Sequence, residues 1–154
     1  MSYYMYDKHP IQLVNVSYKK LSIEINQSKS NDNQEESSHL FKMRFAHSDY
    51  DHSQHIIGVK LNISIGYEYD EISQPLKMTD SEYWLEVTVE GIFKVDENSF
   101  PIDKIETWAN SNAPLVLYSY AREAAYSLTN RINKDATAIL PLLSVPTFKI
   151  VKNN

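Results

Sequence analysis

The chain has 154 residues, with 15 lysines and arginines against 20 aspartates and glutamates, which gives a formal net charge of -5. This length is enough to bury the core of one domain, so we expect a single domain over residues 1–154, and the acidic balance disfavours a nucleic-acid partner. The sequence contains no cysteine, which excludes disulfides, a thiolate nucleophile and cysteine-ligated metals.

The first nine residues are predicted to form a loose arm. They lack the charged start and apolar core of a signal peptide. No apolar run in the chain approaches the roughly 18 residues that a membrane span needs. Together with the absence of cysteine, these features predict a cytoplasmic protein without direct membrane insertion.

Residues 11–25 are typical of a strand, but the phase of their apolar positions changes along the segment. The two apolar sets are Val14, Val16 and Tyr18, followed by Leu21, Ile23 and Ile25 with the opposite parity. Because a shift of one residue moves every side chain to the other face, we predict a β-bulge near Lys19 and Lys20. The next segment, 26–38, has no aliphatic or aromatic residue and is predicted to be a flexible loop.

Three further segments alternate apolar and polar residues, as strands with one wet face do. They are 41–45, 57–69 and 83–95, and polar loops over 47–55 and 70–81 connect them. Tyr67 and Tyr69 continue the apolar alternation of the second segment. Gly91, inside the third, indicates a bulge or the close approach of another backbone.

A short helical segment within 96–113 leads to the main helix, predicted over 114–131. The apolar stripe of this helix repeats at steps of three and four residues and consists of Leu117, Ala121, Ala124, Ala125, Leu128 and Ile132. Its small centre suits close packing, either on the sheet of the same chain or on another surface. After the helix, Pro141 and Pro146 interrupt an apolar segment, which we therefore predict to be extended, and 147–154 form a tail.

Four strands followed by helices predict an α+β fold, with a four-stranded antiparallel sheet and a long helix packed behind it. The three glycines lie too far apart for a phosphate-binding loop, and no serine lies in a Gly-x-Ser-x-Gly turn. We therefore expect neither a cofactor nor catalytic residues, and we predict that the protein is not an enzyme.

One cluster favours an alternative, a metal-dependent hydrolase. His47, Asp49, Asp51, His52 and His55 lie within nine residues, and imidazole and carboxylate groups are suitable zinc ligands. The run partly resembles the His-x-His-x-Asp-His signature of the metallo-β-lactamase superfamily, with Asp49 in place of the second histidine. That fold needs a longer chain and later ligands, and no histidine follows His55, so a polar hairpin tip without metal is the preferred interpretation.

Several motifs of this chain resemble those of the SecB protein-export chaperones. Residues 120–123 read Tyr-Ala-Arg-Glu, with Pro114 before them and Arg131 after them, as in the helix of that family. The spacing of Glu-Val at 86–87 and Gly-Ile-Phe at 91–93 is similar to the end of one of its strands. Residues 19–24 are similar to its first strand, and Pro141 lies where the family has a proline. The resemblance covers roughly residues 11–145.

The resemblance implies a SecB-like fold and an ATP-independent chaperone, a holdase that binds unfolded polypeptides in apolar grooves. Under this hypothesis Phe93, Trp108, Tyr118 and Tyr67 would line the client groove. It also implies a homo-oligomer, either a dimer or a tetramer. Its helical interface would consist of Ala121, Ala124, Ala125 and Leu128.

The same resemblance implies a docking patch for the SecA motor, with Glu24 and Glu86 as its acidic residues. The sequence departs from the family there, because Lys20 replaces an acidic residue and Trp84 replaces a leucine. The last helix and acidic tail of the family are also absent from this sequence. These departures weaken the expectation of SecA docking and favour an alternative, a chaperone dedicated to the antitoxin of a toxin–antitoxin module.

Overall fold

The computed structural model describes residues 1, 3, 5–28, 41–69, 74–132, 140 and 141. The strands are β1 (Ile11–Ile25), β2 (Phe41–His47), β3 (Ile56–Ile65), β4 (Tyr67–Glu68), β5 (Leu76–Lys77) and β6 (Tyr83–Val95). A 3-10 turn at Ile102–Lys104 precedes two helices, α1 (Ile105–Ser111) and α2 (Ala113–Ile132).

Four of the strands form one antiparallel sheet with the order β1-β6-β3-β2, and α2 lies on one face of it over β6 and β3. This arrangement confirms the predicted α+β fold. The two short strands β4 and β5 pair with each other in a separate hairpin, which the sequence did not predict. In this order β1 and β2 are the two edge strands.

Two bulges keep the apolar side chains of β1 on one face. The pairing of β1 with β6 skips Val14 and Lys19, so the bulge predicted near Lys19 and Lys20 is confirmed. The prediction that Val14 shares a face of the strand with Val16 and Tyr18 is wrong. A second bulge at Val14 places it outside their row, and it is 55% exposed. Each bulge adds one unpaired residue to β1, after which the pairing of β1 with β6 continues.

The core lies between the sheet and α2. The alternate residues of β3 and β6 that face the helix are almost completely buried, as expected for the covered face of an antiparallel sheet. A Cβ atom at Gly91 would lie 2.6 Å from Cδ2 of Leu117. The close approach at Gly91 is therefore made by a side chain of α2 and not, as predicted, by another backbone.

The small stripe of α2 faces the sheet of its own chain. Ala121 and Ala125 have no exposed surface, Ala124 is also buried, and Leu128 packs partly buried against the same core. Within the subunit these four residues pack on the core, and an oligomer interface at them stays a prediction from the resemblance. Small side chains at this position let the helix lie close to β6 and β3.

The predicted arm, loop and tail lie only partly within the described residues. The described residues of the predicted arm 1–9 have no regular secondary structure. Asn26, the first residue of the predicted loop 26–38, is buried and hydrogen-bonded, whereas 29–38 lie outside the described residues. The tail 147–154 also lies outside them. Among the described helices, none is long and apolar enough to cross a membrane.

Candidate functional site: the two faces of the sheet

The sheet presents two chemically different surfaces. The apolar face lies towards α2, and the polar face, made of the alternate residues of β1, β6, β3 and β2, lies away from it. Directly paired residues in an antiparallel sheet share a face. One row of the polar face therefore runs from Lys20 through Thr88 and Asn62 to Arg44, and the neighbouring row contains Glu86 and Ser64.

Glu86 is the centre of a hydrogen-bonded network on the polar face. Its carboxylate accepts hydrogen bonds from Nζ of Lys20 at 2.5 Å and from Nδ2 of Asn62 at 3.1 Å. The bond to Glu86 raises the pKa of Lys20 above its ordinary value. Lys20 neutralises the charge of Glu86 within the chain. Because Glu86 is only 9% exposed, its carboxylate is also largely hidden from a partner.

The β4–β5 hairpin, together with the turn that follows it, lies over one end of the polar face. Lys77 of this hairpin forms an ion pair with Glu24, and its Nζ atom lies 4.5 Å from the ring centroid of Trp84. The indole Nε1 of Trp84 donates to the carbonyl of Met78 at 2.9 Å. Trp84 and Glu24 are thus both held by the hairpin.

Asn26 fixes the same segment from the end of β1. Its Nδ2 donates to the carbonyl oxygens of Thr79 and Ser81, at 3.0 and 2.8 Å. A buried amide whose donors are both used stabilises the turn, because breaking either bond would leave a polar group unpaired away from water. The hairpin and its following turn are therefore anchored at several points.

The structure brings Glu24, Glu86, Trp84 and Lys20 to one surface, as the SecA-type patch requires, but it also pairs their charges internally. Lys20 satisfies Glu86, and Lys77 satisfies Glu24. The interpretation of Lys20 as a single reversed charge in an open acidic patch is therefore incomplete, since Lys20 stabilises the network. Docking of a basic partner at these residues stays a prediction from the resemblance.

Replacing Lys20 by aspartate is expected to destabilise the subunit by roughly 1–3 kcal/mol, because it removes the hydrogen-bond donor of a poorly hydrated carboxylate and adds a like charge. Lys20→Met is the matched control, which removes the donor without adding the repulsion and should lose less. Urea unfolding followed by circular dichroism measures both changes. An unchanged midpoint for Lys20→Asp would contradict the described role of Lys20.

The residues predicted to line a client groove do not share one surface. Phe93 and Trp108 contact each other edge to face, with their ring centroids 5.1 Å apart, and both are buried beside α1. Tyr118 is buried as well, and its hydroxyl donates to the carbonyl of Pro141 at 2.5 Å. Tyr67 lies on the polar face, where burial and the charge of Glu86 raise its pKa and the charge of Lys77 opposes this shift. A client groove at these four residues stays a prediction from the resemblance, and three of them are buried within the subunit.

A different apolar surface is open to solvent, along the edge strand β1 beside α2. Tyr18, Leu21 and Ile25 face the helix side of the sheet, yet they are 40%, 51% and 51% exposed. The Tyr18 hydroxyl donates to the carbonyl of Tyr120 at 3.4 Å, which closes one end of this surface against α2. We call Tyr18, Leu21 and Ile25, together with Tyr120, the β1–α2 surface. The sequence indicates this surface through the length of β1. The apolar alternation of the strand extends further than a single helix that crosses the sheet can cover.

The Tyr-Ala-Arg-Glu motif has a structural role in this chain. Ala121 packs on the sheet, while the Nε of Arg122 donates to the carbonyl of Leu140 at 2.7 Å. With the bond from Tyr118 to Pro141, this contact holds the described part of the predicted extended segment against α2. The sequence signal for this segment was Pro141, but its partners on the helix were not predicted.

The histidine cluster has its side chains directed to separate partners. Nδ1 of His47 lies 2.8 Å from the carbonyl of Ser48, and Nδ1 of His55 lies 2.9 Å from Glu97, whose pKa it lowers. Asp51 accepts hydrogen bonds from Ser53 and the next residue, which lowers its pKa in the same way. Among the described residues no three such groups are arranged to hold a metal ion.

The comparisons with known proteins agree with the fold. No protein-family model and no curated protein matches the sequence. Among solved structures, the SecB-like chaperone Rv1957 of Mycobacterium tuberculosis, in complex with a ChAD peptide from the HigA1 antitoxin, has a TM-score of 0.60 at 15% identity, covering 90% of this chain and 94% of that one. A Streptococcus agalactiae protein of unknown function has a TM-score of 0.40 at 13% identity, covering 85% and 96%. The similarity to Rv1957 shows that the chain has a SecB-like fold.

Proposed function

We propose that this protein is an ATP-independent chaperone, a holdase that binds extended apolar segments of non-native polypeptides at the β1–α2 surface. The observation that carries the proposal is the exposure of Tyr18, Leu21 and Ile25 on the apolar face of an edge strand. An added extended segment would pair with the outer edge of β1, which pairs with no other strand among the described residues, and would cover these side chains, as in recognition by strand addition.

The SecB-like fold supports the same activity, because the structurally similar Rv1957 is a chaperone. Burial of half-exposed aliphatic side chains by a client is favourable without any reaction, since the free energy follows the apolar area removed from water. This activity requires neither a nucleotide nor a catalytic group. Assembly as a dimer or tetramer and a cytoplasmic location stay predictions of the sequence.

A second candidate is a chaperone dedicated to one client, an antitoxin. The observation that favours it is the antitoxin peptide bound to Rv1957. The internally paired charges of Glu24 and Glu86 favour this candidate over a general role in export, because they reduce the acidic surface that a basic motor protein would contact. Comparable binding of many unrelated unfolded proteins would favour the general role, and a strong preference for one peptide would favour the dedicated role.

The test is suppression of aggregation of a chemically unfolded protein, without nucleotide or metal. Wild-type protein should suppress aggregation stoichiometrically. Leu21→Gln should weaken binding of an apolar peptide by about fivefold, because covering half of a leucine side chain is worth about 1 kcal/mol.

Leu76→Gln is the matched control, since Leu76 is 60% exposed on the β4–β5 hairpin, which lies over the polar face and not on the β1–α2 surface. This variant should bind the peptide as the wild type does. Failure of the wild type to suppress aggregation, or an equal loss in both variants, would contradict the proposal.

A further inference from the structure

The charge of the polar face is opposite in sign to that of the whole chain. All charged side chains of β1, β2, β3 and β6 lie on this side of the sheet. The cations are Lys19, Lys20, Lys42, Arg44, Lys60 and Lys94, and the carboxylates are Glu24, Glu86 and Glu90. The four strands thus have twice as many cations as carboxylates, whereas the rest of the chain has nine cations against 17 acidic residues.

Every carboxylate of this face already has a cationic partner. Glu86 is paired with Lys20, and Glu24 with Lys77 of the hairpin. Glu90 lies between two lysines, 3.4 Å from Nζ of Lys19 and 3.6 Å from Nζ of Lys60. An incoming cation would therefore have to displace an internal lysine, which disfavours a basic partner.

Part of the positive charge has no such partner. Within the described part of the chain, Lys42, Arg44 and Lys94 form no ion pair with a carboxylate. Lys42 and Arg44 are neighbours on β2, the edge strand opposite β1, and both are exposed. Asp49 and Asp51 border the other end of the face, near Lys60 and Glu90, so the positive excess is concentrated at the end that contains Lys42.

Arg44 is held in position for an anionic group. Its guanidinium lies 3.8 Å from the ring centroid of Tyr69, and one of its nitrogens donates to Oδ1 of Asn62 at 3.1 Å. The guanidinium has five N–H donors, so most of them stay available to a carboxylate from solvent. A planar, stacked guanidinium loses little freedom when it forms a paired hydrogen bond with a carboxylate.

We propose that the polar face is a docking surface for an acidic polypeptide segment, with Arg44 and Lys42 as its principal contacts. Complementary charge between the surface and the segment provides the attraction and the selectivity. The four strands span about 14 Å, since neighbouring strands lie about 4.8 Å apart, which accommodates a short segment. A longer polyanion such as a nucleic acid would extend from this face over the acidic remainder of the surface.

The experiment measures fluorescence anisotropy of labelled probes with the full-length protein. The probes are a short peptide of alternating Glu and Gly, its counterpart of alternating Lys and Gly, and a single-stranded oligonucleotide of the same charge as the acidic peptide. The acidic peptide should bind best, with affinity that decreases as salt rises because the contacts are exposed. Arg44→Glu should weaken its binding by about tenfold or more.

Lys104→Glu is the matched control, because it makes the same change in net charge at an exposed lysine outside the face. It should leave the affinity within about twofold of the wild type, since long-range effects are screened. Circular dichroism melting of both variants verifies that they are folded, and Arg44→Gln replaces Arg44→Glu if the latter is not. Equal or tighter binding of the basic peptide or the oligonucleotide, an equal loss in Lys104→Glu, or no binding of the acidic peptide would overturn the proposal.

Discussion

Ala125→Arg is expected to unfold the subunit. The side chain of Ala125 has no exposed surface and lies on the stripe of α2 that packs on β6 and β3. An arginine there would place a charge without a partner in the core, which destabilises a protein by roughly 3–5 kcal/mol or more. Since typical domains are stable by about 5–15 kcal/mol, most of the folded population would be lost. Chemical denaturation followed by circular dichroism measures the effect.

Glu123→Arg is the control for this experiment, because Glu123 lies two residues earlier on the exposed face of the same helix. It should change the stability of the subunit by less than about 1 kcal/mol. The two variants also separate the two interpretations of the small stripe. An Ala125→Arg protein that stays fully folded but changes its oligomeric state would contradict the packing of α2 on its own sheet and would favour an interface between subunits.

The elements with strong local signals could be predicted from the sequence. Apolar alternation gave the main strands, and the pattern of three- and four-residue steps gave α2, because these periods follow directly from strand and helix geometry. The phase change in β1 revealed the bulge at Lys19. The stripe of α2 also identified the buried face of the helix, but periodicity does not say which surface covers that face.

The errors arose where the decisive contact is distant in the sequence or depends on one backbone angle. Lys20 and Glu86 are 66 residues apart, and no local pattern indicates that they pair. The alternation of β3 continues through Tyr67, which suggested a longer strand with Tyr67 on the apolar face. Gly66 ends that strand with a positive φ of 81°, and the chain then turns across the polar face. Exposure at the helix-facing side of β1 depends on where α2 crosses the sheet.

Gly66→Ala is expected to destabilise the fold by roughly 2–4 kcal/mol, through backbone strain and overpacking together. Its backbone angle is one that residues with a Cβ atom rarely adopt. A Cβ atom built there would also lie 2.5 Å from both the Oγ of Ser81 and the carbonyl oxygen of Tyr83. Relief of the clash would move the segment that places the hairpin over the polar face. Urea unfolding measures the loss, and faster hydrogen exchange at the amide of Met78, which donates to the carbonyl of Gly66, locates it.

Gly58→Ala is the matched control, a second glycine of the same hydrophobic segment. A Cβ atom there would lie 3.5 Å from Cδ1 of Ile92 and from Oγ of Ser48, which is ordinary van der Waals contact. Replacing that glycine should therefore be neutral or stabilise the protein by up to about 1 kcal/mol, because alanine restricts the unfolded chain. Equal stability of the two variants would contradict the turn at Gly66. A loss of stability in Gly66→Ala but not in Gly58→Ala, with faster hydrogen exchange first at the amide of Met78, would confirm that this turn determines which residues cover the polar face.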